Sequence, residues 1–121
     1  MENNETAAER RRAGRLESTL PLNYKNLRKS GVSPVGSLTK NLSDSGVCFE
    51  TSEFISLACR LVVEISLPTA SKPIKAISKV AWIRRIPSSD QYELGNQFLD
   101  MSKEDKVLIS NFVNEALNAS L

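Results

Sequence analysis

Histidine is missing from all 121 residues. Its absence removes the commonest general base and the commonest imidazole metal ligand. Cysteine is nearly absent too. Cys48 and Cys59 make neither a disulfide framework nor a zinc-ligand pattern. Reduced thiols and a cytoplasmic location are therefore expected. Aromatic residues are only 6% of the chain, which leaves few platforms for stacking bases and argues against a general nucleic-acid binder. Charge interrupts the longest apolar runs, so no membrane span is expected. The first 15 residues turn from acidic to basic without an apolar stretch, which does not read as a secretory signal. Nucleotide-hydrolysis loops, nucleophile–base spacings and metal-ligand clusters are also lacking. The expectation is a protein that is not an enzyme and needs no metal or cofactor.

What is present has the composition of one globular domain, 40% hydrophobic and 25% charged. Residues 1–8 are small and polar and read as a disordered arm. Residues 9–121 read as the folded domain: a basic arm over 9–15, strands over 16–100 and a helix over 102–118. Apolar and polar residues roughly alternate from Leu16 to Leu27, with Pro21 marking an edge or a bulge. Further strands are expected over 33–42, 47–51, 60–67, 73–86 and 92–99. The clearest is 60–67, where Leu61, Val63, Ile65 and Leu67 alternate with polar neighbours. The run Asn41-Leu42-Ser43-Asp44-Ser45-Gly46 is turn chemistry, with Gly46 free to take a positive φ. Ser102 followed by Asp105 resembles a capping box, and Leu108, Ile109, Phe112, Ala116 and Leu117 form one helical stripe. Short strands with hairpin-length links and one terminal helix predict a mainly β fold: a six-stranded antiparallel barrel closed to hide its edges.

The charge pattern is the strongest local signal. Glu9-Arg10-Arg11-Arg12-Ala13-Gly14-Arg15 holds four of the 16 Lys and Arg residues, while the formal net charge is only +2. A guanidinium keeps its proton and presents a flat fork of donors that matches phosphate oxygens and guanine edges. Taken alone, the cluster fits a solvated basic tail as well as an anion site for nucleic acid or an anionic membrane. The Asn41–Gly46 run fits an ordinary turn or the polar rim of a site. Trp82 fits a core residue or a half-exposed platform, since polar residues surround it and Arg84 follows.

Together these residues resemble the PilZ domain family. The matching features are Arg11 and Arg15 at Arg-x-x-x-Arg spacing, preceded by Arg10, then Asn41, Ser43 and Gly46 at Asn-x-Ser-x-x-Gly spacing. Val80-Ala81-Trp82-Ile83-Arg84 and Gly95-Asn96-Gln97-Phe98-Leu99-Asp100 are similar to the family's closing strands. Asn41 stands where Asp is more frequent, and residues 54–59 lack a glycine expected there. The resemblance implies a receptor for the bacterial second messenger cyclic di-GMP. Arg10, Arg11 and Arg15 would hold phosphates and guanines, Asn41 and Ser43 would meet a guanine edge, and Gly46 would set the turn. Trp82 and Arg84 would lie against the ligand. The implied partners are cyclic di-GMP and an unidentified effector protein, without nucleic acid or membrane insertion, in a monomer or weak dimer. Two rival readings are a PilZ-like adaptor that binds no nucleotide, as in type IV pilus assembly, and a basic-tailed nucleic-acid binder.

Overall fold

The computed structural model describes residues 15–119, so Arg10 and Arg11 lie outside the described residues, as does the arm over 1–8. The strands are β1 (Leu16–Glu17), β2 (Pro21–Asn26), β3 (Val35–Leu42), β4 (Gly46–Thr51), β5 (Arg60–Ile65), β6 (Ile74–Arg85) and β7 (Tyr92–Met101). The helix α1 spans Lys103–Ala119. Neighbouring strands run in the order β1-β3-β2-β5-β6-β7-β4, and β4 pairs back onto β3. All the pairings are antiparallel, so β2 to β7 close a six-stranded barrel and β1 is an extra strand on its wall. The expected mainly β barrel with a terminal helix is the fold observed.

Side-chain alternation builds the core. Leu61, Val63, Ile65 and Leu67 all point inward and are buried. They meet Leu22 and Tyr24 from β2, Phe49 from β4 and Leu94 from β7 in one apolar cluster. The Tyr24 and Phe49 rings pack with centroids 5.1 Å apart.

The single strand expected from Leu16 to Leu27 is broken in two, and Thr39 accounts for the break. Its buried hydroxyl accepts from the Leu20 N–H at 2.9 Å and donates to the Ser18 carbonyl. β3 bulges between Thr39 and Asn41 at the same level. Ser18–Leu20 therefore bends around a threonine hydroxyl, while residues on either side stay paired with β3. The sequence marked this region only by Pro21, because the partner that divides the strand lies far along the chain.

The helix starts where expected. Ser102 Oγ accepts the Asp105 N–H at 3.1 Å. The other half of the capping box is not closed by Asp105, whose carboxylate instead accepts the Lys75 N–H at 3.1 Å and ties α1 to β6. Ile109 and Val113 are the buried helix residues, with Phe112 and Leu117 packed beside them. Leu108, expected in the buried stripe, is 37% exposed, and Val113 takes the inward position. The buried stripe is centred on the i, i+4 pair Ile109 and Val113.

Ile109→Ala should lower unfolding free energy by about 2–4 kcal/mol through the cavity it leaves. Val107→Ala, at an exposed helix position, should stay within about 0.5 kcal/mol of the parent. Urea denaturation of the two variants checks the assignment of the helix face, and equal losses would overturn it.

Candidate ligand-binding cleft

β1 pairs with β3 through Leu16↔Leu42 and Glu17↔Asn41. That register sets Arg15 beside the β3–β4 turn. Its Nη1 donates to Asn41 Oδ1 at 3.5 Å, near the outer limit of a hydrogen bond. The Ser43 hydroxyl accepts N–H groups from Ser45 and Gly46, both at 3.2 Å, and the Ser43 N–H donates to the Gly46 carbonyl at 2.9 Å. Ser43 is thus a turn-forming residue whose oxygen is already engaged at the rim.

Gly46 is required for a different reason than the turn chemistry predicted. It is not among the positive-φ residues. A Cβ at this position would stand 2.3 Å from the Asn96 carbonyl oxygen, so glycine lets β4 press against β7. Gly95 has a similar role. A Cβ there would fall 2.0 Å from Trp82 Nε1. Trp82 pairs with Gly95 across β6 and β7, after a bulge between Val80 and Trp82. The indole therefore lies over the glycine on the barrel exterior, 37% exposed.

These residues border one cleft of about 290 Å³. Of the residues singled out in the sequence, Arg15, Asn41, Ser43, Gly46 and Trp82 line it. Gly95, Asn96 and Gln97 of β7 and Ser45 of the turn complete the polar wall. Gly95 carried a readable signal, an isolated glycine inside a strand, while Gln97 carried none. A larger groove of about 910 Å³ runs along β3. Its lining holds the carboxylates Glu17 and Glu50 and one cation, Lys40, which is already paired with Glu50 and Glu93, so among the described residues this groove offers an anion no free positive charge.

Arg84 is directed elsewhere. Its Nε donates to Glu93 Oε1 at 2.8 Å, and it does not line the cleft. Glu93 also meets Lys40 Nζ at 2.7 Å, and Lys40 reaches Glu50 at 3.6 Å. Glu50 and Glu93 stand directly opposite on β4 and β7, so Lys40 offsets a like-charge pair. The hydrogen bond from Lys40 holds the Glu93 carboxyl below its ordinary range, and Glu93 in turn raises Lys40. Burial pushes the Cys48 thiol up to about 11, keeping that cleft-lining residue neutral and unreactive. Among the described residues, no group of His, Cys, Asp and Glu is arranged to hold a metal.

Two outcomes follow from this geometry. Because the folded-state pKa of Glu93 is depressed, its pairing contributes fully at neutral pH and is lost as pH falls through that depressed value. The stability gap between the parent and Glu93→Gln should narrow on acidification, read from urea midpoints; a constant gap refutes the pairing. Gly95→Ala should force the indole off the barrel, and Trp82, the single tryptophan, should shift its emission to longer wavelength. An unchanged spectrum would show that the ring does not rest there.

The PilZ domain family model matches residues 9–115. A comparison with curated protein sequences finds no match. Among solved structures, the Bacillus subtilis inhibitor of motility MotI/DgrA is similar with a TM-score of 0.70 and 17% identity over 86% of this chain and 49% of that one. The PilZ domain of YcgR from Escherichia coli, solved with c-di-GMP, is similar at 0.62 and 14% identity, over 88% and 93% of the two chains. The PilZ domain of CeSA from a cellulose-synthesizing bacterium is similar at 0.60 and 14% identity, over 84% and 96%. This chain spans about half the length of MotI/DgrA and 93% of the YcgR PilZ domain. The family match covers nearly the whole chain and the barrel agrees with it, so the protein belongs to the PilZ domain family.

Proposed function

We propose that this protein is a cytoplasmic receptor for cyclic di-GMP, without catalytic activity, that passes the ligand signal to an effector protein. The observation that carries the reading is the placement of Arg15 and Asn41 within hydrogen-bond reach at a cleft bordered by a half-exposed tryptophan. The solved YcgR PilZ domain with c-di-GMP supports the choice of ligand.

The ligand has two phosphates and two guanines. The long Arg15–Asn41 bond exchanges readily for a charge-assisted bond to phosphate of about 2.7–2.9 Å. Asn41 is then released to donate and accept at a guanine edge. The exposed side of Trp82 offers a stacking face, worth about 1–3 kcal/mol per base. Arg10 and Arg11 supply the remaining forks from the arm that leads into Arg15. The cleft, at about 290 Å³, covers one side of such a ligand, so the arm must cover the rest. Arg84, held by Glu93, takes no part in this contact.

The energetics suit a sensor. Charge-assisted hydrogen bonds contribute about 1.5–3 kcal/mol each, and ordering an arm costs about 1–2 kcal/mol per residue. Six ordered residues offset much of what several such bonds supply. Binding on the micromolar scale follows, with the ligand concentration setting the position of the arm.

Titration calorimetry with cyclic di-GMP should show saturable heat and a change in Trp82 emission. Arg15→Ala should abolish both while leaving the melting temperature of the free protein nearly unchanged. Ser43→Ala should weaken binding by about 1 kcal/mol, since its hydroxyl shapes the rim. Absence of heat, with superimposable amide spectra of the free and ligand-treated protein, would favour the nucleotide-independent adaptor.

A further inference from the structure

A second surface lies outside the cleft. The β2–β3 and β4–β5 connections carry exposed apolar side chains: Leu27, Val32, Phe54 and Leu57 are 42%, 49%, 63% and 61% exposed. Between these connections opens a groove of about 270 Å³. The core residues Tyr24, Ile55 and Leu61 contribute to its lining, as do Lys25 and Lys29. The two connections are fastened together. Asn26 Nδ2 donates to Cys59 Sγ at 3.3 Å, and the Leu27 N–H donates to the Arg60 carbonyl at 3.0 Å.

Lys25 and Lys29 line this groove, and further cations stand on the strands and turn next to it. Arg60 and Lys79 are directly opposite on β5 and β6. Their strand neighbours Leu61, Ser78 and Val80 are buried, so both side chains point outward. Lys25 lies at the next level, opposite Val62, with Arg28 and Lys29 on the adjoining turn. Among the described residues, none of these five cations has a carboxylate within ion-pair distance. One carboxylate, Glu53, also lines the groove and accepts a hydrogen bond from Tyr24 at 3.0 Å. Like charges directly opposite on a sheet oppose folding. What distinguishes the patch is the number of cations gathered on one face, Lys25, Arg28, Lys29, Arg60 and Lys79, against the one lining carboxylate Glu53.

We infer that this face docks an acidic segment of a partner protein, with one large apolar side chain of that segment seated in the groove. The unneutralised cations select the sign of the partner. The concave opening between two apolar loops suits a protruding aromatic or aliphatic anchor, which a bilayer surface does not present. The surface gives a location to the relay half of the proposed function and rests on that reading only there. Lys79 pairs with Gln97 of the cleft wall, so the docking face begins one strand from the ligand site.

The test uses the full chain without cyclic di-GMP, so its failure and a failure of ligand binding are separate results. The probe is a fluorescein-labelled peptide of alternating glutamate and serine around one central phenylalanine, followed by anisotropy. Saturable binding is expected, weakened about tenfold by the Arg60→Glu, Lys79→Glu double variant and by added salt. Phe54→Ser should weaken it through the apolar side of the groove. Replacing the peptide's phenylalanine by serine should have the same effect. All variants should keep the parent circular dichroism, because each change is at the surface. No saturable binding, or equal binding by the parent and both variants, would overturn the inference. So would stronger capture by phosphatidylcholine–phosphatidylglycerol vesicles that depends on the same residues, or a self-association in sedimentation that these variants abolish.

Discussion

The barrel depends on how closely β4 approaches β7. Gly46 permits that approach, since any side chain there would collide with the Asn96 carbonyl. The same strand pairs with β3 on its other edge, through Asn41↔Cys48 and Leu42↔Val47. One short strand therefore joins the two ends of the sheet. Its burial of Val47 and Phe49 adds apolar contact to the backbone hydrogen bonds of both seams. Gly46 and Val47 both pair at these seams and line the cleft, so barrel closure and the rim of the cleft share residues.

Charge as well as packing ties the barrel wall together. Lys40, Glu50, Glu93 and Arg84 connect four strands across it. Glu93 is nearly buried and has two cationic partners, so its negative charge is compensated within the protein. Arg84 and Lys40 are occupied by that carboxylate. Arg15 differs: among the described residues its side-chain hydrogen bond is the long one to Asn41.

The cleft and the cationic face share backbone. Gly46 pairs with Gln97, Gln97 with Lys79 and Lys79 with Arg60, whose carbonyl accepts the Leu27 N–H. This continuous rung runs from the turn at the ligand site to the apolar loops. Adjacent strands lie about 4.8 Å apart, so the three steps from Gly46 to Arg60 span roughly 14 Å of paired backbone.

Much of the architecture was legible in the chain. Period-two alternation marked β5, Ser102 marked the helix start, and the spacing of the arginines and the Asn41–Gly46 run identified the family. Local chemistry suffices for these features, because alternation, capping and turn formation act over a few residues. Three things were decided only by tertiary structure. The buried Thr39 hydroxyl split the first strand in two, Gly46 met a carbonyl fifty residues away instead of adopting a left-handed turn, and Arg84 turned to Glu93 rather than to the cleft. Each depends on a partner brought near by barrel closure, and no local propensity encodes the identity of a group that arrives from another strand.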